Sequence, residues 1–306
     1  MNRINFYAGA DIDRVSPLRR DSSWIEDQLA SPRARVLPLW REKNFISFLD
    51  QGDETPEIAW LSVAAASDLA NEATSLILLG EKDGTPYFAV DLSHLDEPDA
   101  SVPHGTFVGL RDVGGGLGQA EGALLSYAKG LIHWHDRNPF CARCGSATQT
   151  TDAGHVRVCV NQDCKVSHFP RTDPAVIMLV HQGDRCVLAH NRRNPRPMYS
   201  TLAGFVEPGE SLEEAVAREV QEEVGIQVSR VRYHSSQPWP FPGNIMLGFH
   251  AEALSTDIEI EEAELSEARW FDRAEIANAA ETGLKLSRSE SISRRLIDDW
   301  VTGAVD

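Results

Sequence analysis

The sequence contains no long hydrophobic run, which argues against a membrane-spanning protein. Its longest uninterrupted apolar segment is the six residues Ala175–Val180, whereas a helix that crosses a bilayer needs about 20. The opening residues, MNRINFYAGADIDR, also lack the basic stretch and following apolar stretch that mark a secretory signal. We therefore expect a cytoplasmic protein.

Cysteine and positive charge are both scarce. Five cysteines in 306 residues, without a secretory signal, argue against a fold held by disulfides. The 29 lysines and arginines face 46 aspartates and glutamates, so the net charge is −17. Nucleic acids and anionic membranes bind chiefly through lysine and arginine, so this balance disfavours a general binder of either, although it leaves room for a local basic groove.

The order of apolar and polar segments divides the chain into three parts. Up to about residue 115, short β-rich runs such as PYFAV and TFVGL alternate with polar turns, which is typical of a small α/β domain. Apolar residues at helical spacing predict a helix over 120–136, before a segment rich in cysteine. Beyond it, PAVIMLVHQG and RCVLAH predict a hairpin, IMLGFHAEAL a strand and SISRRLIDDWV a last helix. We expect an α+β protein with domains 1–136, 137–170 and 171–306.

The glycine-rich segment Val113–Gly118, VGGGLG, invites comparison with phosphate-binding loops. It lacks the lysine and the serine or threonine of a P-loop, and its glycines do not follow the dinucleotide-binding order. We interpret it as a linker before the helix over 120–136.

Four of the five cysteines lie close together in the sequence. Two residues separate Cys141 from Cys144, and four separate Cys159 from Cys164. Two such pairs can supply four thiolates to one tetrahedral zinc ion, as in a zinc ribbon. Four cysteine ligands leave no position for water, so we expect a structural zinc; reduced cysteines without a ligand are the alternative. The fifth, Cys186, is expected to be a small buried hydrophobic side chain.

The segment GFVEPGESLEEAVAREVQEEVGI predicts a helix with acidic residues on its apolar side. Ser211 and Glu214 form a capping box that begins the helix. Glu219 and Glu223 project into the same arc as the apolar residues Leu212, Val216, Val220 and Val224. Carboxylates so placed are costly unless their charge is compensated. The alternative is a surface helix whose glutamates form only salt bridges.

A divalent cation is the expected compensation for these carboxylates. Hard ions such as Mg²⁺ and Mn²⁺ prefer oxygen ligands and keep positions free for substrate phosphates. Glu222 lies on the adjacent flank of the helix, where it could bind a further ion or orient water. Arg218 is expected to neutralise part of the acidic cluster by pairing with Glu210.

The same segment resembles the Nudix box at every fixed position, with the spacing Gly204-x5-Glu210-x7-Arg218-Glu219-Val220-x-Glu222-Glu223-x-Gly225-Ile226. The resemblance implies hydrolysis of a nucleoside diphosphate linked to another moiety. It also implies a loop–helix–loop in an α/β/α sandwich, with Glu219 and Glu223 as metal ligands and the Ala203 carbonyl joining them.

A proline-rich segment beyond the box, SQPWPFP over residues 236–242, narrows the resemblance. Its prolines fix φ near −65°, so we expect Gln237, Trp239 and Phe241 to be displayed on a stiff, extended backbone, where the aromatic rings can stack on a flat ligand. Aromatics that plug a core are the alternative. Together with the cysteine ribbon and the box, the segment resembles the NADH pyrophosphatase branch of the Nudix hydrolases, whose bacterial members also remove NAD caps from RNA.

That resemblance implies a set of substrate and metal contacts. Glu264 matches a further metal-binding glutamate. Ser293 stands where the family usually has alanine, Phe169 where it usually has tyrosine, and Gly154 where some members carry glutamate. The implied substrate contacts are Arg111, Phe169, Phe205, Gln237, Pro238, Trp239, Pro240, Phe241, Pro242, Gly243, Asn244 and Ser293.

The implied activity is metal-dependent hydrolysis of the pyrophosphate of NADH or NAD⁺. The products are AMP and nicotinamide mononucleotide, reduced from NADH and oxidised from NAD⁺. Removal of NAD caps from RNA is compatible with this activity. Two or three Mg²⁺ or Mn²⁺ ions are expected, bound by Ala203, Glu219, Glu222, Glu223 and Glu264. Either Glu222 or Glu223 is expected to be the base. A homodimer is implied because, in the family, the proline motif of one subunit helps to build its neighbour's pocket.

Two alternative functions stay open at the level of sequence. One is an ADP-ribose or broad dinucleotide pyrophosphatase. The other, of a different class, is an RNA-binding zinc-ribbon protein with a vestigial Nudix box, which the intact box and the few nearby arginines disfavour.

Overall fold

The computed structural model describes residues 4–48, 55–70, 76–96, 98, 105–193 and 198–304. Over these residues the chain forms two compact units. The N-terminal unit comprises Tyr7–Thr172 and Pro240–Gly243, and the C-terminal unit comprises Met1–Phe6, Asp173–Trp239 and Asn244–Asp306. None of the helices in these ranges is long and apolar enough to cross a membrane.

The larger part of the N-terminal unit is a mixed sheet with helices around it. Its elements are, in chain order, α1 (Ser22–Leu29), β1 (Arg35–Trp40), β2 (Lys43–Phe48), β3 (Pro56–Ile58), α2 (Val63–Leu69), β4 (Ile77–Lys82), β5 (Thr85–Asp91), β6 (Thr106–Gly109), α3 (Leu110–Val113) and α4 (Gln119–Arg137). The strand order is β3-β2-β1-β5-β4, with β6 beside β2. β1 and β5 run parallel in the centre and are buried almost throughout, which explains their unbroken apolar runs.

The cysteine segment forms a small sheet of its own in this unit. Its strands are β7 (Thr148–Thr151), β8 (Val156–Cys159) and β9 (Ser167–His168), paired antiparallel in the order β7-β8-β9. The apolar side chains of Phe140 and Val160 lie exposed here, at 65% and 43%. The segment therefore builds little hydrophobic core around its four cysteines.

The C-terminal unit is a mixed sheet between two helical layers. Its elements are β10 (Asp173–Gln182), β11 (Arg185–Asn191), β12 (Leu202–Phe205), α5 (Leu212–Val224), β13 (Val228–Trp239), β14 (Asn244–Ala253), β15 (Leu265–Asp272), α6 (Arg273–Ala277), α7 (Ala279–Thr282) and α8 (Ile292–Val301). The strand order is β13-β14-β10-β11-β15, with β12 beside β10. β10 and β14 run parallel, and the other neighbours run antiparallel.

Alternating side chains of β10 explain the two layers. Val176, Met178 and Val180 pack with α5 on one face, in a core that includes Val216, Val220 and Val224. Ala175, Ile177 and Leu179 face the opposite way and pack with α8, in a core that includes Ile292, Leu296 and Trp300. Successive residues of a strand point to opposite faces, so one continuous apolar run supplies both cores. The expected α+β class and α/β/α sandwich are confirmed.

Most of the elements predicted from the sequence are present. The helix expected over 120–136 is α4, the hairpin is β10 and β11, and the last predicted helix is α8. Cys186 is fully buried as expected, and burial raises the pKa of its thiol to about 12. The boundaries expected between the three domains stay a prediction.

Two segments between the predicted elements contain local structure of their own. The segment Val113–Gly118 connects α3 to α4 as expected, and it contains a 3₁₀ turn over Gly114–Gly116. The proline-rich segment has the expected extended backbone as far as Trp239, because β13 continues to that residue and pairs with β14. Only its second half, Pro240–Gly243, forms a turn.

Candidate active site

Helix α5 begins and ends with the signals that the sequence contains. The Ser211 hydroxyl accepts a hydrogen bond from the Glu214 N–H at 3.3 Å, and the Glu214 carboxylate accepts one from the Ser211 N–H at 2.8 Å. Gly225 ends the helix at φ 70°, a left-handed conformation that glycine adopts without strain. The predicted capping box is confirmed, and it fixes the rotation with which α5 presents its glutamates to the sheet.

Glu223 is a buried carboxylate with one oxygen unsatisfied. Its side chain is 5% exposed, and its Oε2 has no hydrogen-bond partner among the described residues. Burial, together with the nearby charges of Glu219 and Glu264, raises the pKa of Glu223 to about 8, although a hydrogen bond from the Ala203 backbone opposes the rise. An unpaired buried carboxylate is strongly unfavourable unless a cation or a proton neutralises it.

Glu219 lies beside Glu223 against the backbone of β12. Its side chain is 12% exposed, and burial raises its pKa although Arg218 opposes that effect. A Cβ built on Gly204 would lie only 1.8 Å from Glu219 Cδ. The glycine at the start of the box therefore makes the room into which the Glu219 carboxylate fits.

Arg218 joins three carboxylates and the end of β12. Its Nε donates to Glu210 Oε1 at 2.6 Å, and its Nη1 donates to Glu219 Oε1 and Glu222 Oε2, each at 2.9 Å. Its Nη2 donates to the Phe205 carbonyl at 2.8 Å. These carboxylates raise the pKa of Arg218, and Arg218 in turn lowers the pKa of Glu210. The expected pairing with Glu210 is confirmed, whereas the other three bonds were not predicted.

The carboxylates of this site fit a hard divalent cation. The unsatisfied Glu223 oxygen and the Glu219 carboxylate lie on one side of α5, and Glu264 is close enough to raise the pKa of both. Carboxylate oxygen is the ligand that Mg²⁺ and Mn²⁺ prefer. Glu222, in contrast, is 60% exposed and engaged with Arg218. The roles of these residues as ligands or base stay a prediction.

Replacing Gly204 with alanine tests how tightly Glu219 is held. The added methyl group would overlap the carboxylate, so Glu219 must leave its position, and we expect catalytic turnover to fall at least tenfold. The loss should appear in kcat at saturating Mg²⁺, with an unchanged far-ultraviolet circular dichroism spectrum. Gly130→Ala provides the comparison, since nothing lies within 4 Å of a Cβ built on Gly130 and its φ is not in the left-handed region. Equal activity of Gly204→Ala and the parent would contradict the close fit.

Gln237 is placed differently from the expectation. It is fully buried, its Nε2 donates to the carbonyls of Phe6 and Glu290 at 3.0 and 2.7 Å, and its Oε1 accepts from the Ile292 N–H at 2.8 Å. Its display to a ligand was therefore a wrong expectation, because the residue belongs to a paired strand opposite buried Met246. The amide holds the start of α8 and the N-terminal segment against β13.

The two aromatics of the proline motif differ in their surroundings. Trp239 is half-buried against the core beneath α8, so it is not freely displayed either. Phe241 is in the turn that belongs to the N-terminal unit. The Arg111 guanidinium lies over its ring, with 4.2 Å between Arg111 Cζ and the ring centroid. Tyr7 meets the same ring edge-on at 5.8 Å. A guanidinium so placed is held by the face of the ring through a cation–π contact.

The remaining implied contacts are partly exposed and partly buried. Phe205, at the end of β12, is 57% exposed, and Phe169 in the N-terminal unit is 65% exposed. Ser293 is 3% exposed, and its hydroxyl accepts from the N–H and the hydroxyl of Thr201, both at 3.0 Å. Asn244 is half-buried and begins β14. The exposed rings are free to stack, whereas the Ser293 hydroxyl is engaged internally.

Gly154 has a structural reason to be glycine. Its φ is 97°, and a Cβ there would lie 2.6 Å from Ile77 Cγ2. A glutamate at this position would be strained in backbone and would displace the side chain of Ile77. The packing of the N-terminal unit therefore explains why this chain has glycine where some family members have glutamate.

The four clustered cysteines fit a tetrahedral zinc ion. All four Sγ atoms lie within 4.8 Å of one another, with 3.4 Å between Cys144 and Cys159 and 3.8 Å between Cys141 and Cys164. Zinc–sulfur bonds of about 2.3 Å in a tetrahedron place sulfurs about 3.8 Å apart. Backbone and side-chain hydrogen bonds from Ser146 lower the pKa of Cys144 to about 6, which favours the thiolate that zinc requires.

Comparison with known families gives three adjoining matches. The family "NUDIX domain" matches residues 171–293, "NADH pyrophosphatase-like rudimentary NUDIX domain" matches residues 33–134, and "NADH pyrophosphatase zinc ribbon domain" matches residues 136–169.

Curated relatives match over most of the chain. The NAD-capped RNA hydrolase NUDT12 of Homo sapiens is 32% identical, over 97% of this chain and 73% of its own length. The NAD-capped RNA hydrolase NudC of Mycobacterium bovis (strain BCG / Pasteur 1173P2) is 40% identical, over 78% of this chain and 79% of its own. Nudix hydrolase 19, chloroplastic, of Arabidopsis thaliana is 39% identical, over 81% of this chain and 63% of its own.

Proposed function

Because this chain belongs to the NADH pyrophosphatase branch of the Nudix hydrolase family, we propose that it hydrolyses the pyrophosphate bond of NADH and NAD⁺. The products are reduced or oxidised nicotinamide mononucleotide and AMP. The observation that carries the proposal is the buried pair Glu219 and Glu223 on α5, with one Glu223 oxygen unsatisfied. The two NAD-capped RNA hydrolases among its relatives support NAD-capped RNA as a further substrate, because the cap contains the same pyrophosphate.

The carboxylates of α5 and of Glu264, which lies in the turn before β15, would bind metal or accept a proton in the reaction. Glu219, Glu223 and Glu264 would hold Mg²⁺ or Mn²⁺, with the Ala203 carbonyl as a further oxygen ligand. Bound there, such ions lower the pKa of water, screen the substrate phosphates and stabilise the leaving phosphate. Glu223 or Glu222 takes the proton of the attacking water. Of these two, Glu223 is buried beside Glu219, whereas Glu222 is exposed and engaged with Arg218.

Arg218 positions the acidic residues and does not act on the substrate. Its guanidinium is already bonded to Glu210, Glu219 and Glu222 and to the Phe205 carbonyl. These bonds hold the Glu219 carboxylate in place and fix the end of β12, from which the exposed Phe205 ring projects. We assign Phe205 to stacking on a base or nicotinamide ring, an interaction of about 1–3 kcal/mol per base in other proteins.

In the N-terminal unit, Arg111, Phe169 and the turn residues 240–243 are the proposed substrate contacts. Arg111 rests on the Phe241 ring, and a guanidinium has the charge and shape that suit a phosphate. Phe169 keeps the stacking surface of the tyrosine usual in the family and lacks its hydroxyl. In the C-terminal unit, Asn244 and Ser293 complete the set, and Gln237 supports it from within the core.

The decisive experiment is incubation of the purified full chain with NADH and either Mg²⁺ or Mn²⁺. We expect chromatography to show reduced nicotinamide mononucleotide and AMP in equal amounts, and no products without added metal. Parallel reactions with NAD⁺, ADP-ribose and an NAD-capped oligoribonucleotide rank the substrates. Faster cleavage of ADP-ribose than of either dinucleotide would favour the broader pyrophosphatase. RNA binding without any metal-dependent cleavage would favour an RNA-binding protein instead.

The proposal extends to assembly and location. A homodimer is expected, so the native mass measured by light scattering should be about twice 33.8 kDa; a monomer at working concentration would contradict it. The three domains 1–136, 137–170 and 171–306, the structural zinc and a cytoplasmic location belong to the same proposal.

A further inference from the structure

The C-terminal unit contains a cavity of about 510 Å³ that the proposed hydrolysis does not use. His181, Arg232 and His250 are among the residues that line it. His250 pairs in register with Leu179 of β10, whose side chain belongs to the core beneath α8. Paired residues of neighbouring strands share a face, so the cavity opens on the α8 face of the sheet. The glutamates of α5 lie on the other face.

His250 is a buried polar side chain that faces this cavity without a partner. It is 3% exposed, and neither ring nitrogen has a hydrogen-bond partner among the described residues. The centroid of its ring lies 5.2 Å from the ring centroid of His234 and 6.3 Å from that of His181. A buried donor left unsatisfied costs roughly 1–3 kcal/mol, so the site favours a ligand that accepts the N–H of His250.

Three arginines surround the same cavity, and they set the charge of that ligand. Arg232 is exposed and stands directly opposite His250 in the antiparallel pair of β13 and β14. Arg230 pairs with Glu252 at 3.1 Å. Arg273 pairs with Asp184 at 3.1 Å and lies 4.0 Å over the ring of Trp300. Glu252 also lines the cavity, so the lining carries three arginines and one glutamate. In a chain of net charge −17, this is a local excess of positive charge.

From this arrangement we propose that the cavity is a binding site for a phosphate group, carried by a mononucleotide or by an RNA chain. The Arg232 guanidinium and the His250 N–H donate to the phosphate oxygens from adjacent strands. The Trp300 ring, already covered by Arg273, also lines the cavity. The volume falls within the range of small-molecule sites.

A metal ion fits the same cavity less well. The arginines that line the cavity repel a cation. Burial lowers the pKa of His250 to about 3, so its ring is neutral at pH 7 and presents one N–H to an anion.

Calorimetric titration of the full chain, without added Mg²⁺ or Mn²⁺, tests the proposal. The probes are inorganic phosphate, AMP and a short uncapped oligoribonucleotide. We expect Arg232→Gln to weaken binding of at least one probe by about tenfold, since hydrogen bonds to charged groups contribute about 1.5–3 kcal/mol. Arg35→Gln, which removes an exposed arginine at the start of β1, should leave binding unchanged.

The probes separate the two sources of the phosphate. An effect of Arg232→Gln on AMP and phosphate identifies a mononucleotide site, and an effect confined to the oligoribonucleotide identifies an RNA site. Equal affinities of Arg232→Gln and the parent for all three probes would overturn the proposal, as would equal losses in Arg232→Gln and Arg35→Gln. Because no turnover is measured, failure here leaves the proposed hydrolysis untouched, and NADH cleavage by Arg232→Gln should match the parent.

Discussion

Glu223→Gln is expected to reduce NADH turnover by a factor of at least about 100, the lower end of the range for loss of a general acid or base. Glutamine keeps the size of the side chain and removes its negative charge. It can neither bind the cation as a carboxylate nor take a proton from water. The measurement is kcat at saturating Mg²⁺ or Mn²⁺, with products quantified by chromatography. Glu213→Gln removes an exposed glutamate from the first turn of the same helix, so it is the matched control and should retain full activity.

The same substitution should stabilise the metal-free protein at high pH. The pKa of Glu223 is raised from 4.5 to about 8 in the folded state. Between these values the folded protein holds a proton that the unfolded chain has released, so stability falls as pH rises through this window. Glutamine removes that dependence. In metal-free buffer, Glu223→Gln should therefore melt at a higher temperature than the parent at pH 9, and the difference should vanish near pH 4.

Two results would contradict this assignment of Glu223. Turnover within a factor of two of the parent would show that another residue carries the chemistry. The second is the difference in melting temperature between the parent and Glu223→Gln in metal-free buffer. If the parent gains stability relative to the variant between pH 5 and pH 9, the Glu223 carboxylate is not buried without a partner.

Cys159→Ser is expected to abolish zinc binding and to unfold the cysteine segment. This segment exposes Phe140 and Val160, so it has little apolar core of its own, and a structural zinc contributes about 10–16 kcal/mol in small zinc domains. Elemental analysis should find zinc bound to the parent and none to the variant. Limited proteolysis should cut the variant within residues 137–170, a region that the parent protects.

Cys186→Ala is the control for the loss of a cysteine. Its thiol lies in the core beneath α8 and is no part of the cluster, so the variant should keep its zinc and its resistance to protease. Zinc retained by Cys159→Ser at the parent's level would contradict the four-cysteine site. Cleavage of Cys186→Ala within residues 137–170 would show that the protease reports general instability.

The features predicted best from the sequence are those in which one local pattern determines the structure. The capping box, the apolar stripe and the positions of Glu219 and Glu223 all follow from the geometry of a single helix. Four thiolates within a short segment likewise have few ways to meet. In both cases the residues that cooperate are neighbours along the chain.

The features that were missed depend on residues far apart in sequence. The prolines around Gln237 predict an extended segment that displays its side chains, and only the pairing of β13 with β14 places the amide inside, bonded to Phe6 and Glu290. Four polar residues in a row, 234–237, give no alternation of polar and apolar residues that could have signalled a half-buried strand there. The cavity beside His250 draws on β10, β13, β14, α6 and α8, and no local pattern brings them together.

The bonds of Arg218 bear on the order of events during maturation. Because this one side chain already pairs with Glu210, Glu219 and Glu222, helix α5 brings its own counter-charge to the folding chain. Most of the acidic cluster on α5 can therefore assemble before any ion arrives, with the buried Glu223 neutralised by a proton. A newly made chain can therefore reach its native fold in a cell short of magnesium or manganese and be activated afterwards, with the supply of metal acting on activity and not on abundance.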